Sequence, residues 1–352
     1  MAQHVRPAEL VLAATIARRF YLDGRSKIEL ADEFGLSRFK VARILNDARE
    51  QGLVHVDIRL PGTIDAELSA ELGSELGVRR TIVIDTPPEP EASLRRHLAE
   101  ITADLLTEVV TDDDVLGLTW SRTIEETSLA LTRLAPCTVV QLAGTLAHPD
   151  RDTSTVEVVR QAASVGGGRA YPIYAPLIVP DAATAAALRS EPRITDAMSR
   201  FEELTKAVIA VGAWTPHHST VWDAVTPAER EDCLARGACA EVSGRLLDAE
   251  GNALRTDLDE RVIAITLDQL RAVPEVVAIA AGAGRAAAAA AVVRAGFVDT
   301  LVTDASLAQA VLGQDHDPPR GSPPRQTAPQ AKGRAQRRRR APSARTGRLA
   351  DG

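Results

Sequence analysis

The sequence predicts an α/β protein: an N-terminal, all-helical helix-turn-helix unit with a winged-like close, followed by a doubly wound α/β domain. Three observations predict it. Residues 26–50, SKIELADEFGLSRFKVARILNDARE, spell two short helices about a tight turn. From residue 81 onward, short apolar runs alternate with helical patterns, the order expected of strands and crossover helices. The formal charge of −7 is segregated, at +2 over 1–60, −16 over 61–312 and +7 over 313–352, so basic character is confined to the two ends.

In the first unit, residues 8–22 place Leu10, Ala13, Ala14, Ile16, Ala17 and Phe20 at helical spacing, a support helix that Asp23-Gly24 ends. Ser26 and Glu29 form a capping box for the next helix, whose inward face is Ile28, Leu30, Ala31 and Phe34. Ala31 is small enough for a close helix crossing, and Gly35 permits the positive φ of a sharp turn. Leu36 fills the corner and Ser37 caps the second helix, which buries Val41, Ile44 and Leu45. Arg38, Phe39, Lys40, Ala42 and Arg43 are left for a face that fits a DNA major groove. Arginine suits guanine, while Lys27, Lys40 and helix N-termini capped by Ser26 and Ser37 suit phosphates. Phe39 fits either a thymine methyl or the core. The expected DNA-binding set is therefore Ser26, Lys27, Ser37, Arg38, Phe39, Lys40, Ala42 and Arg43. A plain helical hairpin with a solvated basic face is the bland alternative.

Gly52 stops the second helix, and VHVDIRL (54–60) alternates like a half-buried strand, the rudiment of a wing. Residues 61–78 open with Pro61-Gly62 and set Ile64, Leu68, Leu72 and Leu76 on one stripe. That stripe reads as a linker and oligomerisation helix, or equally as a helix docked on its own large domain. The α/β domain is expected over 79–312. Its strands are TIVID (81–85), DVLGLT (114–119), CTVVQLAG (137–144), AVIAVG (207–212), RVIAI (261–265), VVAIA (276–280) and DTLVT (299–303). They are continuous apolar runs, as in parallel strands buried on both faces. Helices are expected near 92–110, 122–134 and 154–164, and after Thr226 and Thr266. Residues 313–352 hold six prolines, five glycines and the run Arg337–Arg340, the composition of a disordered basic tail.

Three strand-end loops suit a small ligand, because helix N-termini there offer backbone donors to anions. GLTWSRT (117–123) presents Thr119, Ser121, Arg122 and Thr123, with Trp120 placed either to stack on a ligand or to fill the core. AGT (143–145) and AGAGR (281–285) follow two other strands, the latter with Arg285 at the mouth of an alanine-rich helix. Cys137, Cys233 and Cys239 lack CxxC spacing, and His217-His218 is too small a ligand set, so neither a disulfide framework nor a metal site is expected. No cofactor is implied. No uncharged run approaches membrane-helix length and no compact signal segment opens the chain; the expected location is the cytoplasm.

Residues 19–58, RFYLDGRSKIELADEFGLSRFKVARILNDAREQGLVHVDI, resemble the N-terminus of SorC-type sugar-responsive bacterial transcriptional regulators. DVLGLTWSRT, VVQLAG, AEVSGRLLDAEG (240–251) and the stretch 261–304 resemble their effector domain, so the likeness covers about 8–312. It implies an effector domain similar in fold to sugar-phosphate isomerases, a phosphorylated sugar as effector, a double-stranded DNA operator, and a homodimer or homotetramer. Matching positions put phosphate contacts at Gly117, Thr119, Ser121, Arg122 and Thr123, and further ligand contacts near Gly144, Thr145, Asp248, Gly282, Arg285 and Asp304. Two residues depart from the family pattern. Ser121 stands where glycine is usual, at a cost of about 1–2 kcal/mol if that position is left-handed, and Arg285 replaces a usual lysine. The competing functions are a sugar-phosphate isomerase or transferase fused to a DNA-binding head, for which the three loops supply no Glu or His base, and a constitutive DNA-binding protein whose large domain only oligomerises.

Overall fold

A computed structural model describes residues 7–50, 53–54, 63–85, 90–146 and 155–313. All of the expected wing strand except Val54, and the basic tail beyond Gly313, lie outside them. The chain divides into two compact units, up to Thr63 and from Ile64.

The first unit contains helices Pro7–Tyr21, Lys27–Phe34 and Arg38–Glu50. The expected capping box forms: the Glu29 N–H donates to Ser26 Oγ at 3.3 Å and the Ser26 N–H donates to the Glu29 carboxylate at 2.8 Å. These bonds, the backbone one foremost, hold the Glu29 carboxyl below its ordinary pKa. Gly35 ends the helix at φ 61°, and the Lys40 N–H donates to Ser37 Oγ at 3.2 Å. Ile16, Ala17, Leu30, Ala31, Val41 and Leu45 form the core, with Phe34, Leu36 and Ile44 packed against it. Two inward assignments fail. Ile28 is 58% exposed, because at about 100° per residue it stands roughly 110° round the helix from the direction of Leu30, Ala31 and Phe34, and Ala14 faces solvent. Phe39 is not core: it is 87% exposed.

The second unit is built on an eight-stranded sheet. Its strands are β1 (Thr63–Ile64), β2 (Arg80–Asp85), β3 (Val115–Leu118), β4 (Thr138–Gln141), β5 (Arg169–Tyr171), β6 (Lys206–Ala210), β10 (Glu275–Ile279) and β11 (Thr300–Asp304), in spatial order β1-β2-β11-β10-β6-β3-β4-β5. The pairings from β2 across to β5 are all parallel. A small antiparallel sheet joins β7 (Gly212–Ala213), β8 (Ala240–Val242) and β9 (Arg245–Leu247).

Alternate residues of the central strands feed two cores. Val276 and Ala278, Ala207 and Ile209, and Leu301 lie in one; Val277 and Ile279, Val208, and Val302 lie in the other. Period-two alternation between two apolar layers is what makes these strands read as unbroken apolar runs. Helices Glu91–Val109, Arg122–Ala130 and Thr155–Gly166 supply the second layer, and Ala286–Arg294 and Ala305–Leu312 supply the first.

One expected strand is not one. RVIAI (261–265) makes only isolated bridges, Ala264 to Ala143 and Val262 to Ile178, and runs buried across the segment that leaves β4. Its apolar run reflects burial rather than membership of the sheet. Strand β5, the small sheet, and the helices Ala182–Arg189 and Pro192–Ser199 are additions to the elements the sequence predicts. Helix Ala66–Leu76 belongs to the second unit: Leu72 is fully buried in the first of its cores, with Leu68 and Leu76 packed beside it, while Ile64 stays half exposed. The Leu72→Ala variant should therefore lower the stability of the α/β unit by about 2–5 kcal/mol. Urea denaturation followed by tryptophan fluorescence reads this directly, since Trp120, Trp214 and Trp222 all lie in that unit; an unchanged midpoint would place the helix outside the core.

Candidate functional site

Chain order reverses between β3 and β6, which are neighbours although β4 and β5 lie on the far side of β3. Open α/β sheets leave a crevice at such a point. Here it is a cavity of about 580 Å³ at the carboxyl ends of β3, β6 and β10. Thr119 pins the crevice, its N–H donating to Val208 O at 3.0 Å and its Oγ1 accepting the Ala210 N–H at 3.1 Å.

Of the expected ligand residues, the fold gathers Thr119, Trp120, Ser121, Arg122, Thr123, Gly144, Gly282 and Arg285 around this cavity. Ser121 is not left-handed: at φ −158° and ψ 167° it is extended, and its Oγ accepts the Ile124 N–H at 3.1 Å as the cap of helix Arg122–Ala130. The strain expected of a non-glycine residue there does not arise. Gly144 is needed because a Cβ would meet the Pro176 carbonyl oxygen at 2.5 Å. Gly282 adopts φ 82° and directs its N–H to Asp304 at 2.7 Å.

Arg285 follows on that turn. Its Nη1 donates to Ala281 O at 2.8 Å and its Nε to His218 O at 3.3 Å; among the described residues it makes no ion pair. Burial pulls its pKa below the ordinary arginine value. Glu91 and Asp304 lie near enough to favour its charge, but the guanidinium's hydrogen bonds go to carbonyls and not to a carboxylate.

The remaining expected residues stand elsewhere. Gly117 lies behind the cavity, where a Cβ would strike Leu142. Thr145 bridges to Pro176, Asp304 braces the Gly282 turn and caps helix Ala305–Leu312, and Asp248 accepts from Asn252 N and Nδ2 to close a turn. None of the four lines the cavity.

Residues that sequence reasoning missed complete the wall. Glu241 on β8 is buried and accepts from Ser219 Oγ at 3.0 Å and from the Gly244 N–H; burial lifts its carboxyl above the ordinary glutamate range. Ser243 and Gly244 turn the β8–β9 hairpin with φ 53° and 80°, as a two-residue hairpin turn requires. Ser243 Oγ and Trp120 Nε1 are buried without a hydrogen-bond partner among the described residues, and both residues line the cavity. His218 packs its ring on Gly284, where a Cβ would lie 2.7 Å from Nε2. The Ser-Gly pair of AEVSGR is a hairpin signal legible in the sequence; that the hairpin meets the strand-end loops is not.

In the first unit, Arg38, Phe39, Lys40 and Arg43 are exposed on one helix and Ala42 is half-buried. The cap residues Ser26 and Ser37 are exposed with their hydroxyls engaged, and Lys27 sits 5.6 Å above the Phe20 ring. No group of three or more His, Cys, Asp or Glu among the described residues is placed to hold a metal. Burial pushes the Cys137 and Cys233 thiols up to about 11. No helix among the described residues is long and apolar enough to cross a membrane.

A family profile described as "Putative sugar-binding domain" matches residues 62–313. The transcriptional regulator YjhU of Escherichia coli K12, itself called uncharacterized, is 29% identical over 306 residues, covering 83% of this chain and 92% of its own. The Deoxyribonucleoside regulator of Bacillus subtilis is 22% identical over 305 residues, covering 86% and 97%. The full-length sorbitol operon regulator SorC of Klebsiella pneumoniae shares the fold with a TM-score of 0.72 at 18% identity, over 86% of this chain and 98% of that one. A helix-turn-helix unit followed by this cavity-bearing sheet, with that match over most of its length, makes the chain a member of the SorC-type family of sugar-responsive transcriptional regulators.

Proposed function

We propose that a phosphorylated sugar, or a related small carbohydrate bearing an anionic group, binds in the β3–β6 cavity and thereby sets the affinity of the helix-turn-helix for a DNA operator. Family membership makes the chain a ligand-controlled DNA-binding regulator; the anion, the residues that hold it and the assembly are our own reading. The observation that carries it is Arg285, half-buried at a Gly282 turn and hydrogen-bonded to backbone carbonyls rather than to a carboxylate, in a cavity that also holds the orphaned donors Trp120 Nε1 and Ser243 Oγ. An anion would complete the arginine's pairing. Arg122 and the open end of helix Arg122–Ala130 would face the same group, with Thr123 beside them, while Glu241 suits sugar hydroxyls.

Two half-sites require two reading heads, so the working form is a homodimer or homotetramer in the cytoplasm. The effector shifts the balance between two arrangements of the heads only by its differential affinity, a coupling of about 1–3 kcal/mol. An isomerase-like activity would need a free base. Glu241 and His218 are near, but the Glu241 carboxylate is taken up by two protein donors.

Three outcomes are expected. In gel-shift titrations against a panel of sugar phosphates and their unphosphorylated counterparts, at least one phosphate ester should change operator affinity; Arg285→Ala should weaken that response about 10–100-fold, as loss of a charged hydrogen bond implies, and leave effector-free DNA binding intact. No response to any ester, or turnover of one, would reverse the reading. Replacing Arg38, Lys40 and Arg43 together with alanine should abolish tight operator binding and flatten its salt dependence by about one unit of slope for each phosphate no longer neutralised.

The third outcome concerns pH. Glu241 has a raised folded-state pKa, so the stability linked to its proton is present below the ordinary glutamate range and is lost as pH rises through the raised value. Glu241→Gln has no charge to bury. Its melting temperature should gain on that of the unmodified protein as pH rises above the ordinary glutamate range, and parallel profiles would show that the carboxyl's burial carries no such cost.

A further inference from the structure

We infer that Phe39 is a sequence-reading residue that takes a thymine C5-methyl group, and that it works beside Arg43 in one stripe of base-facing side chains. The inference rests on the DNA-binding reading above and goes beyond it by dividing the exposed face of the helix into bases and backbone.

Val41, Leu45 and Ala48 are buried on helix Arg38–Glu50 and define its core direction. At about 100° per residue, Phe39 and Arg43 stand roughly 150° and 190° round from that direction, so both point squarely away from the core. Arg38 and Lys40 lie to either side of them. When a helix enters a major groove, the line opposite its core meets base edges and the flanks meet the two phosphate backbones.

Phe39 therefore occupies a base-edge position with no means of hydrogen bonding. It is 87% exposed, the most exposed of the large apolar side chains among the described residues. Its ring has no role in the unit's core of Ile16, Ala17, Leu30, Ala31, Val41 and Leu45. Of the groups displayed in the major groove, only the thymine methyl offers an aromatic ring an apolar partner. Arg43, one turn on, can fork onto guanine, and four residues of helix rise about 6 Å, so the thymine should lie within about two base pairs of that guanine.

The test uses the full chain and an operator selected by it from random duplexes. In that operator, thymines are changed one at a time to deoxyuridine, which removes the methyl and keeps every hydrogen-bonding group. One position in each half-site should weaken binding about fourfold, the value of one buried carbon group. Phe39→Ala should bind the thymine and deoxyuridine forms equally, with an unchanged salt slope, and Phe39→Leu should keep part of the discrimination. Because the side chain is exposed, both variants should retain the parent melting temperature. Indifference of the unmodified protein to every thymine-to-deoxyuridine change, or undiminished discrimination by Phe39→Ala, overturns the assignment while leaving DNA binding standing. Failure of the unmodified protein to select any duplex would instead overturn the regulator reading itself.

Discussion

The placement of β6 beside β3 governs the functional end of this molecule. Two parallel strands that are neighbours in the sheet but send their chains apart leave a crevice that no intervening backbone fills. Thr119 holds the two strand ends together through Val208 and Ala210. The turn after β10 brings Gly282 and Arg285 to the same mouth, and the small antiparallel sheet beyond β6 brings Glu241 and Ser243. Segments that share no local sequence relation thus converge because the strand order sends them to one edge.

Convergence has an energetic consequence. Glu241 is buried and Arg285 half-buried, yet their hydrogen bonds run to carbonyl, hydroxyl and amide groups rather than to each other. Burying charge without a counter-charge is unfavourable, and a domain that only had to be stable would gain by pairing them or replacing them with apolar residues. On the proposed reading, Arg285, which has no carboxylate hydrogen-bond partner at the cavity, is the group that an anionic ligand would answer. The carboxyl groups of Glu241, Asp304 and Asp248, by contrast, already accept from protein donors.

Legibility in the sequence follows the range of the interactions. The Ser26–Glu29 box and the turn at Gly35 depend on neighbours within a few residues, and they stand where the pattern puts them. Ile28 faces solvent because it lies roughly 110° round its helix from Leu30, Ala31 and Phe34, at the margin of the buried stripe. The central strands are readable because both of their faces are buried, and RVIAI misleads for that very reason: burial on all sides looks alike in a sheet strand and in a segment laid across one. GLTWSRT and AGAGR announce themselves as strand-end turns. Glu241, Ser243 and His218 do not, since nothing local says that a hairpin about 120 residues from GLTWSRT closes the same cavity. Ser121 shows the converse, where likeness to a family suggests strain and the backbone, extended with the hydroxyl turned to the helix, has none.

Charge explains why control must pass through shape. The effector domain already carries −16 over residues 61–312, so the one or two charges of a sugar phosphate change its repulsion for DNA only slightly. At physiological salt, moreover, exposed charges are screened over about 8 Å. An anion in the cavity therefore cannot govern the operator by its field. On the proposed reading it would favour one arrangement of paired heads over another, which it could do only if the groups around it stood differently in the two. The turn that carries Gly282 and Arg285 is tied to Asp304 on one side and to the His218 carbonyl on the other. On the proposed reading, a ligand that drew Arg285 off those carbonyls would free the loop that follows β7 from the turn, while the Gly282 N–H kept the turn fastened to β11.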